Sequence, residues 1–153
     1  MSFKLESDSA KKTNQIGQRL ATFLEPGDVL GLSGELGSGK TVLTKGVARG
    51  LKVKETITSP TFAIIREYQG RLPLFHFDVY RIEAKQLEEL GYEDYFFSNG
   101  VSIIEWSERV AGKLPRDYLE IEIAYGKGEF DRVIEFKGHG NWEQRVWDLK
   151  KLF

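Results

Sequence analysis

The chain has 153 residues, of which 41% are hydrophobic and 29% charged, the composition of one globular domain with a single core. Its 22 basic and 23 acidic residues give a net charge of −1, without the basic surplus typical of proteins that bind nucleic acid unaided. Cysteine is absent, which excludes a disulfide framework and a thiolate zinc site. Residues 1–20 are polar and charged and no membrane-spanning run follows, so we expect a cytoplasmic protein without membrane contact.

The N-terminal part of the chain predicts a strand, a helix and a second strand. Residues 3–5 are expected to form a short strand, and Asp8 or Ser9 caps a helix that runs to about Leu24. The apolar positions of this helix recur at helical spacing and are Ala10, Thr13, Ile16, Gly17, Leu20, Ala21 and Leu24. A Pro26-Gly27 turn then leads into an apolar strand over residues 28–33.

A phosphate-binding loop follows that strand. Residues 34–41 read Gly34-Glu35-Leu36-Gly37-Ser38-Gly39-Lys40-Thr41 and match the pattern G-x-x-x-x-G-K-[ST] at every fixed position. Its glycines allow backbone N–H groups to turn toward phosphates, Lys40 reaches the β- and γ-phosphates, and the Thr41 hydroxyl ligates Mg²⁺. A helix predicted over residues 40–51 places the phosphates at a helix N-terminus. We therefore predict that residues 34–41, with the adjacent Val42, bind a nucleoside triphosphate.

The remainder of the chain predicts further strands and helices around this loop. Residues 62–68 and 72–79 form a hairpin across Gln69-Gly70, residues 84–90 form a helix ending at Gly91, and residues 101–104 form a buried parallel strand. A second hairpin pairs residues 118–125 with 130–137, and a final helix covers residues 142–153. The final helix has an apolar face of Trp142, Val146, Leu149 and Phe153, and Trp147 lies outside it. The expected architecture is a single α/β domain over residues 1–153, a mostly parallel P-loop NTPase-like sheet flanked by helices with antiparallel hairpin additions.

Two acidic residues compete for the second metal-ligand position that a phosphate loop requires. Glu105 follows the apolar run of residues 101–104, and Asp78 ends the run of residues 74–77. Strand alternation places Phe75, Phe77 and Val79 on a core face and His76, Asp78 and Tyr80 on the opposite face. Both carboxylates lie at the strand ends where open α/β sheets bind ligands, so the residues alone leave the choice open.

The other polar and aromatic candidates each have a functional and a purely structural interpretation. Thr58, Ser59 and Thr61 lie in a loop over residues 56–61, where a hydroxyl can sense the γ-phosphate or simply stabilise a turn. Each of four arginines could neutralise phosphate charge or could simply be a surface residue: Arg66, Arg71, Arg81 and Arg132. His76 and His139 are too isolated for a metal site, and Trp106 favours core packing.

Five short segments together make the chain resemble the TsaE (YjeE) family, small bacterial P-loop ATPases of tRNA threonylcarbamoyladenosine formation. The segments are residues 34–41, Ser59-Pro60-Thr61-Phe62, His76-Phe77-Asp78-Val79-Tyr80-Arg81, Leu90-Gly91-Tyr92 with Asp94-Tyr95-Phe96, and Ile104-Glu105-Trp106. The N-terminal helix and the C-terminal hairpin resemble the family only loosely. The resemblance implies that Lys40 binds the phosphates, that Thr41 and Glu105 ligate Mg²⁺, and that Asp78 lies near the γ-phosphate. Thr61 would belong to a loop similar to switch I of GTPases, and Trp106 would lie close to the nucleotide. Thr13 and Arg132 would contact the adenine end.

The resemblance also implies a function and partners. The chain would hydrolyse ATP to ADP and phosphate in a complex with the TsaB and TsaD proteins, and it would contact tRNA indirectly through that complex. The near-neutral net charge agrees with a partner doing most of the tRNA binding. Two alternatives remain: a small-molecule kinase, and an assembly switch in which ATP binding matters and hydrolysis does not. Scattered arginines and the lack of a lid-like segment disfavour the kinase.

Overall fold

The computed structural model describes residues 1–58 and 65–153, which form one mixed sheet covered by helices on both faces. The strands are β1 (Ser2–Ser7), β2 (Val29–Ser33), β3 (Ile65–Tyr68), β4 (Leu74–Asp78), β5 (Val101–Glu105), β6 (Tyr118–Tyr125) and β7 (Arg132–His139). The helices are α1 (Ala10–Ala21), α2 (Lys40–Gly50), α3 (Ala84–Glu89), α4 (Tyr92–Phe96) and α5 (Trp142–Lys150), and a 3₁₀ segment covers Ser107–Lys113.

The sheet has the strand order β1-β7-β6-β2-β5-β4-β3. Its four middle strands β6, β2, β5 and β4 run parallel, and β3, β7 and β1 are added antiparallel at the two sides. The predicted α/β architecture, with a parallel centre and two antiparallel hairpins, is therefore confirmed. Because β2 is central, the loop that leaves its carboxyl end opens at the edge where parallel sheets bind ligands.

Hydrophobic residues fill both faces of the sheet, as a central parallel sheet requires. All residues of β2 and β5 are buried. On one face α1, α2 and α5 cover Leu30, Leu32 and Ile103, whereas on the other face α3, α4 and the 3₁₀ segment cover Val29 and Ile104. Of the predicted apolar face of the final helix, Trp142, Val146 and Leu149 are buried, whereas Phe153 lies beyond the helix and is half-buried. Trp147 lies outside that face with 40% of its surface exposed.

Helices α1 and α2 pack with their backbones in direct contact, along a seam of three glycines. A Cβ built on Gly46 would lie 2.2 Å from the Asn14 carbonyl oxygen, and one on Gly50 would lie 2.5 Å from the Gln18 carbonyl oxygen. A Cβ on Gly17 would lie 2.6 Å from the carbonyl oxygen of Leu43. No larger residue fits at these positions without moving the helices apart.

Several predicted boundaries are corrected by the structure. Helix α1 begins after the predicted cap Ser9 but ends at Ala21 rather than near Leu24, because the next three backbone N–H groups bond three residues back instead of four. Ala10 is exposed, not part of the buried helix face, since the first helical residue lies beyond the core. The final helix stops at Lys150, and the second strand of the last hairpin runs two residues later than predicted.

The region after Gly91 contains a helix that the sequence did not predict. Gly91 has a φ of 67°, ends the α3 segment and starts α4, a five-residue helix too short to show helical periodicity. Of the predicted strand over residues 62–68, the part 65–68 is confirmed as β3, and residues 62–64 lie outside the described residues. Within the two described ranges, no helix combines the length and the hydropathy that crossing a bilayer requires.

Candidate functional site

The phosphate loop joins the carboxyl end of β2 to the first turn of α2, as predicted. Gly34, Gly37 and Gly39 have φ values of 140°, 78° and 115°, a region that side chains rarely adopt. At Gly34 the space is also closed, because a Cβ there would lie 2.4 Å from the Ile123 carbonyl oxygen. The glycines of the pattern are therefore required by the backbone itself, and the loop leads its N–H groups to the start of a helix.

Lys40 extends back over the loop and is only 5% exposed. Its Nζ donates to the carbonyl oxygens of Gly34 at 2.6 Å and Glu35 at 2.9 Å. The same Nζ lies 3.8 Å from the centre of the Trp106 ring, a cation–π contact. The ammonium is thus held at the mouth of the loop by neutral groups and an aromatic face.

The pKa of Lys40 lies below its ordinary value because burial disfavours the charged form. Negative charges oppose this shift, in decreasing order Glu105, Glu108 and Asp78. One buried cation therefore lies in the field of three carboxylates. Such a concentration of acids repels bare phosphate and suits phosphate that arrives with a divalent cation.

Glu105 lies at the centre of the acidic group. Its Oε1 accepts a hydrogen bond of 2.9 Å from the Thr41 hydroxyl, and its Oε2 contacts Nε2 of His76. Both Glu105 and His76 are buried, with exposures of 3% and 0%. His76 fixes the carboxylate from behind while Thr41 faces it from the phosphate loop, so the two predicted metal ligands are adjacent.

Asp78 stands beside Glu105 because β4 and β5 are parallel neighbours in which these two residues are paired across the strands. The Asp78 carboxylate accepts a hydrogen bond of 3.0 Å from the backbone N–H of Tyr80. Glu108, in the 3₁₀ segment, accepts a hydrogen bond of 3.4 Å from the Gly34 N–H. The two acids that competed for the metal role in the sequence are thus neighbours in one site.

For three residues of the site, the sequence predicts no specific role. His76 supports Glu105, Glu108 faces the loop, and Tyr80 packs on Trp106 with ring centres 4.7 Å apart. Strand alternation already placed His76 and Tyr80 on the face of Asp78, which is the signal that identifies them. Glu108 had no such signal, because a 3₁₀ segment has neither the helical nor the strand period.

Trp106 has a φ of 66°, a left-handed conformation that is rare for a bulky residue. This backbone geometry turns the chain at the end of β5, so that the ring covers Lys40 instead of following the strand direction. Trp106 is half-buried and packs at the edge of the second core cluster. The predicted packing role of Trp106 is therefore confirmed, and its proximity to a nucleotide stays a prediction.

The residues predicted for the adenine end lie on the opposite side of the loop. Arg132 donates from Nε to the Ser38 carbonyl oxygen at 3.0 Å and stacks over the Tyr125 ring at 4.5 Å. Thr13 is buried, and its hydroxyl shares a hydrogen bond of 2.7 Å with Ser7. Val42 is half-buried in the first turn of α2. Contact of these residues with adenine stays a prediction.

The remaining candidates lie elsewhere or cannot be placed. Ser59 and Thr61, including the predicted switch hydroxyl, lie outside the described residues, and Thr58 is exposed at the border of that segment. Arg71 donates to the Ala21 carbonyl oxygen near the C-terminal end of α2, away from the phosphate loop, and Arg66 and Arg81 are exposed.

The residues present fit a phosphate group and a magnesium ion. Ser38 Oγ is buried without a hydrogen-bond partner in the part of the chain that the structure describes, a polar atom that a bound phosphate would satisfy. Thr41 and Glu105 offer the oxygen donors that Mg²⁺ prefers, next to Lys40. Among the described residues, no group of three or more His, Cys, Asp or Glu side chains is arranged to hold a metal ion by itself.

Comparison with known proteins gives one consistent family. Residues 7–134 match the family described as "Threonylcarbamoyl adenosine biosynthesis protein TsaE". The tRNA threonylcarbamoyladenosine biosynthesis protein TsaE of Bacillus subtilis is 44% identical over 139 residues, covering 90% of this chain and 87% of that protein. The protein of the same name from Treponema pallidum is 42% identical over 118 residues, 76% of this chain and 87% of its own. The crystal structure of YdiB from Bacillus subtilis aligns with a TM-score of 0.83 and 38% identity over 99% of this chain and 95% of that chain.

Proposed function

Because the chain belongs to the TsaE family of tRNA threonylcarbamoyladenosine biosynthesis, we propose that it is a Mg²⁺-dependent ATPase of that modification. It would hydrolyse ATP to ADP and phosphate while bound to the TsaB and TsaD proteins, in the cytoplasm, and would support repeated rounds of the modification. The observation that carries this proposal is the meeting of Lys40, the Thr41–Glu105 pair and Asp78 at the N-terminus of α2.

In this proposal, Lys40 is the cation that binds the phosphates of ATP. Its Nζ now donates to two loop carbonyl oxygens, which are neutral acceptors that phosphate oxygens would replace with stronger, charge-assisted hydrogen bonds. The Lys40 ammonium would exchange its contacts with these carbonyl oxygens for contacts with the β- and γ-phosphates.

Thr41 and Glu105 would hold Mg²⁺, which when bound neutralises charge on the β- and γ-phosphates during transfer to water. The Thr41 hydroxyl and the Glu105 carboxylate are already in contact, so the fold itself brings together the two oxygen donors that would hold the ion. His76 keeps the carboxylate in place from the core side. This arrangement limits the reorganisation that metal binding requires.

Asp78 is the residue that we assign to the attacking water. It ends β4 beside Glu105 and is only half-buried, so its carboxylate is accessible to a water molecule. A carboxylate there can accept a hydrogen bond from water and orient it in line with the γ-phosphate. Thr61 would complete this side of the site as the switch hydroxyl.

The test is ATP hydrolysis by the purified chain, alone and with TsaB and TsaD, with and without tRNA. We expect the partners to stimulate hydrolysis and threonylcarbamoyl transfer to continue past one turnover. An ATP hydrolysis rate that does not change when TsaB and TsaD are added would refute the proposed complex. A phosphorylated metabolite in place of free phosphate would favour the kinase alternative, and sustained transfer with a hydrolysis-deficient variant would favour the assembly switch.

A further inference from the structure

A broad concave surface runs along α1, past β1, to the C-terminal end of α2. It has a volume of about 1440 Å³, and six cationic side chains line it: Lys4, Lys12, Arg19, Arg49, Lys52 and Arg71. Glu6 is the acidic residue in its lining. We call this surface the basic groove. A chain with a net charge of −1 has thus gathered a strongly positive surface at one place.

Most of these charges are not neutralised by acids. Arg19 donates to the Leu152 carbonyl oxygen at 2.9 Å and Arg71 to the Ala21 carbonyl oxygen at 2.8 Å, so neutral groups orient both guanidinium groups. Lys4 forms only a long ion pair of 3.9 Å with Glu135. In residues 1–58 and 65–153, no carboxylate lies within 4.0 Å of the charged groups of the other three cations, Lys12, Arg49 and Lys52.

Helix dipoles account for only part of the groove. Arg19 and Arg49 lie in the last turns of α1 and α2, where a cation stabilises the helix C-terminus. Lys4 lies on a strand and Lys12 lies in the first turns of α1, where a cation is unfavourable. Lys52 has a φ of 65°, a conformation that suits glycine or asparagine better than lysine. These positions carry cations without any benefit to local structure.

The size and chemistry of the groove indicate its ligand. Pockets for small molecules have volumes of roughly 300–1000 Å³, so the groove is larger and suits a macromolecular surface. Protein–protein interfaces are depleted in lysine and enriched in aromatic residues, whereas nucleic-acid interfaces are strongly positive. The neutral lining adds Gln15, Gln18 and Thr22, which can hydrogen-bond to phosphate or ribose oxygens.

We propose that the basic groove binds the phosphodiester backbone of RNA directly. The inference rests on the proposed function for the choice of RNA, since tRNA is the substrate of the modification. It goes beyond that function because the chain itself, in addition to its partners, would hold the tRNA. The contacts are to phosphates and riboses, so the groove positions tRNA without reading its sequence.

The groove can be tested without disturbing ATP binding. Arg49 lies at the far end of α2 from Lys40, about 14 Å along the helix axis. Lys12 and Arg49 are both exposed, and neither makes an ion pair within the described residues. Lys11 and Lys45 are exposed lysines on the same two helices but outside the groove lining. The double variant Lys11→Gln/Lys45→Gln therefore removes the same charge and serves as the matched control.

The experiment measures binding of a fluorescently labelled tRNA transcript to the full chain by anisotropy, over a series of KCl concentrations. We expect the logarithm of the affinity to fall linearly with the logarithm of the salt concentration. Lys12→Gln/Arg49→Gln should weaken binding about tenfold at low salt and reduce the salt slope by about 2. The control should change affinity by less than about twofold. Equal losses in both double variants, or no tRNA binding by the unmodified chain, would overturn the proposal.

Two further readouts separate the groove from its rival and from the proposed function. Polyglutamate should displace tRNA only when the concentration of its carboxylates greatly exceeds that of the tRNA phosphates. Displacement at equal concentrations of the two charges would assign the groove to an acidic protein and overturn the proposal. ATP affinity is measured on the same variants and should not change. Failure of the unmodified chain to hydrolyse ATP would refute the proposed function, while the tRNA result would still decide the groove.

Discussion

The two ends of helix α2 carry opposite electrostatic environments. At the N-terminal end the buried cation Lys40 lies in the field of the negative charges of Glu105, Glu108 and Asp78. At the C-terminal end Arg49 and Lys52 belong to the basic groove, whose lining includes Glu6 as its acid. The helix dipole alone predicts phosphate binding at the first end and cations at the second.

The comparison separates two ways of binding phosphate. The acid-rich end suits a triphosphate whose charge is already partly neutralised by a divalent cation, because carboxylates hold that cation. The basic groove suits phosphodiesters that bring no metal and release monovalent counterions on binding. A net charge close to zero therefore does not describe a neutral surface, and charge must be assigned locally before partners are inferred.

The largest effect is expected from Asp78, the acid that we assign to water rather than to metal. Asp78→Asn should lower the rate of ATP hydrolysis by about 1000-fold, because an amide accepts a hydrogen bond from the attacking water more weakly than a carboxylate and orients the water less well. The substitution removes one negative charge near the phosphates. We therefore expect ATP affinity to rise, by no more than about threefold. Single-turnover hydrolysis and calorimetry on one preparation measure both. An equal loss of affinity and rate would place Asp78 in nucleotide binding instead.

Lys40→Ala tests the buried cation at the acidic end. We expect ATP affinity to fall by about 100-fold, because hydrogen bonds from an ammonium to phosphate are lost while the carboxylates remain. Calorimetric titration with Mg-ATP measures the change. Lys45→Ala, an exposed lysine one turn further along α2, is the control and should bind ATP normally. Similar affinities for the two variants would show that the helix N-terminus alone binds the phosphates.

Glu105→Gln tests the metal-binding role while keeping a side chain that can hydrogen-bond to Thr41 and His76. The Mg²⁺ concentration for half-maximal hydrolysis should rise about tenfold, as expected on losing one charged oxygen donor. A Mg²⁺ titration at saturating ATP gives this value. If the titration is unchanged for Glu105→Gln but shifted for Asp78→Asn, the metal role moves to Asp78.

The smallest effect is expected from Glu108→Gln, which reduces the acidity of the N-terminal end. ATP affinity at neutral pH and low salt should rise about threefold, because an exposed charge that repels phosphate is removed, and the gain should disappear at high salt.

The same variant gives a pH signature. ATP binding requires protonated Lys40, so affinity should fall as the pH rises through the lowered pKa of Lys40. Glu108 helps to keep that pKa up, so the fall should begin at lower pH in Glu108→Gln. Affinity measured between pH 7 and 10 checks the direction, and a shift toward higher pH would contradict the role of Glu108.

The sequence predicted the local parts of the fold better than the long-range ones. The phosphate loop was identified because glycine and lysine spacing is a local requirement, and both hairpins follow from strand runs around turns. Helix α4 escaped prediction because five residues do not establish a period. The position of β1 beside β7 joins opposite ends of the chain, and no local pattern encodes such a pairing.

The site shows the same limit. Lys40 and Thr41 were predicted from their loop, whereas the choice between Asp78 and Glu105 stayed open because it depends on strand register. In the sheet these residues are opposite one another, so both belong to the site. The contact between His76 and Glu105 also depends on the pairing of two strands. His76 is isolated in the sequence, so the sequence alone predicts no part for it in a metal site. Thr61 lies outside the described residues and stays a prediction.

The glycine seam between α1 and α2 has a consequence for tolerance to mutation. Because carbonyl oxygens of one helix nearly touch the α-carbons of the other, the interhelical distance is set by backbone atoms and not by rotamers. Repacking of core leucines and isoleucines can therefore adjust elsewhere while Thr13 on α1 and Lys40 on α2 keep their separation. The geometry of the candidate site would therefore change little when core residues are substituted, whereas a single methyl group added at Gly46 would move the two helices apart.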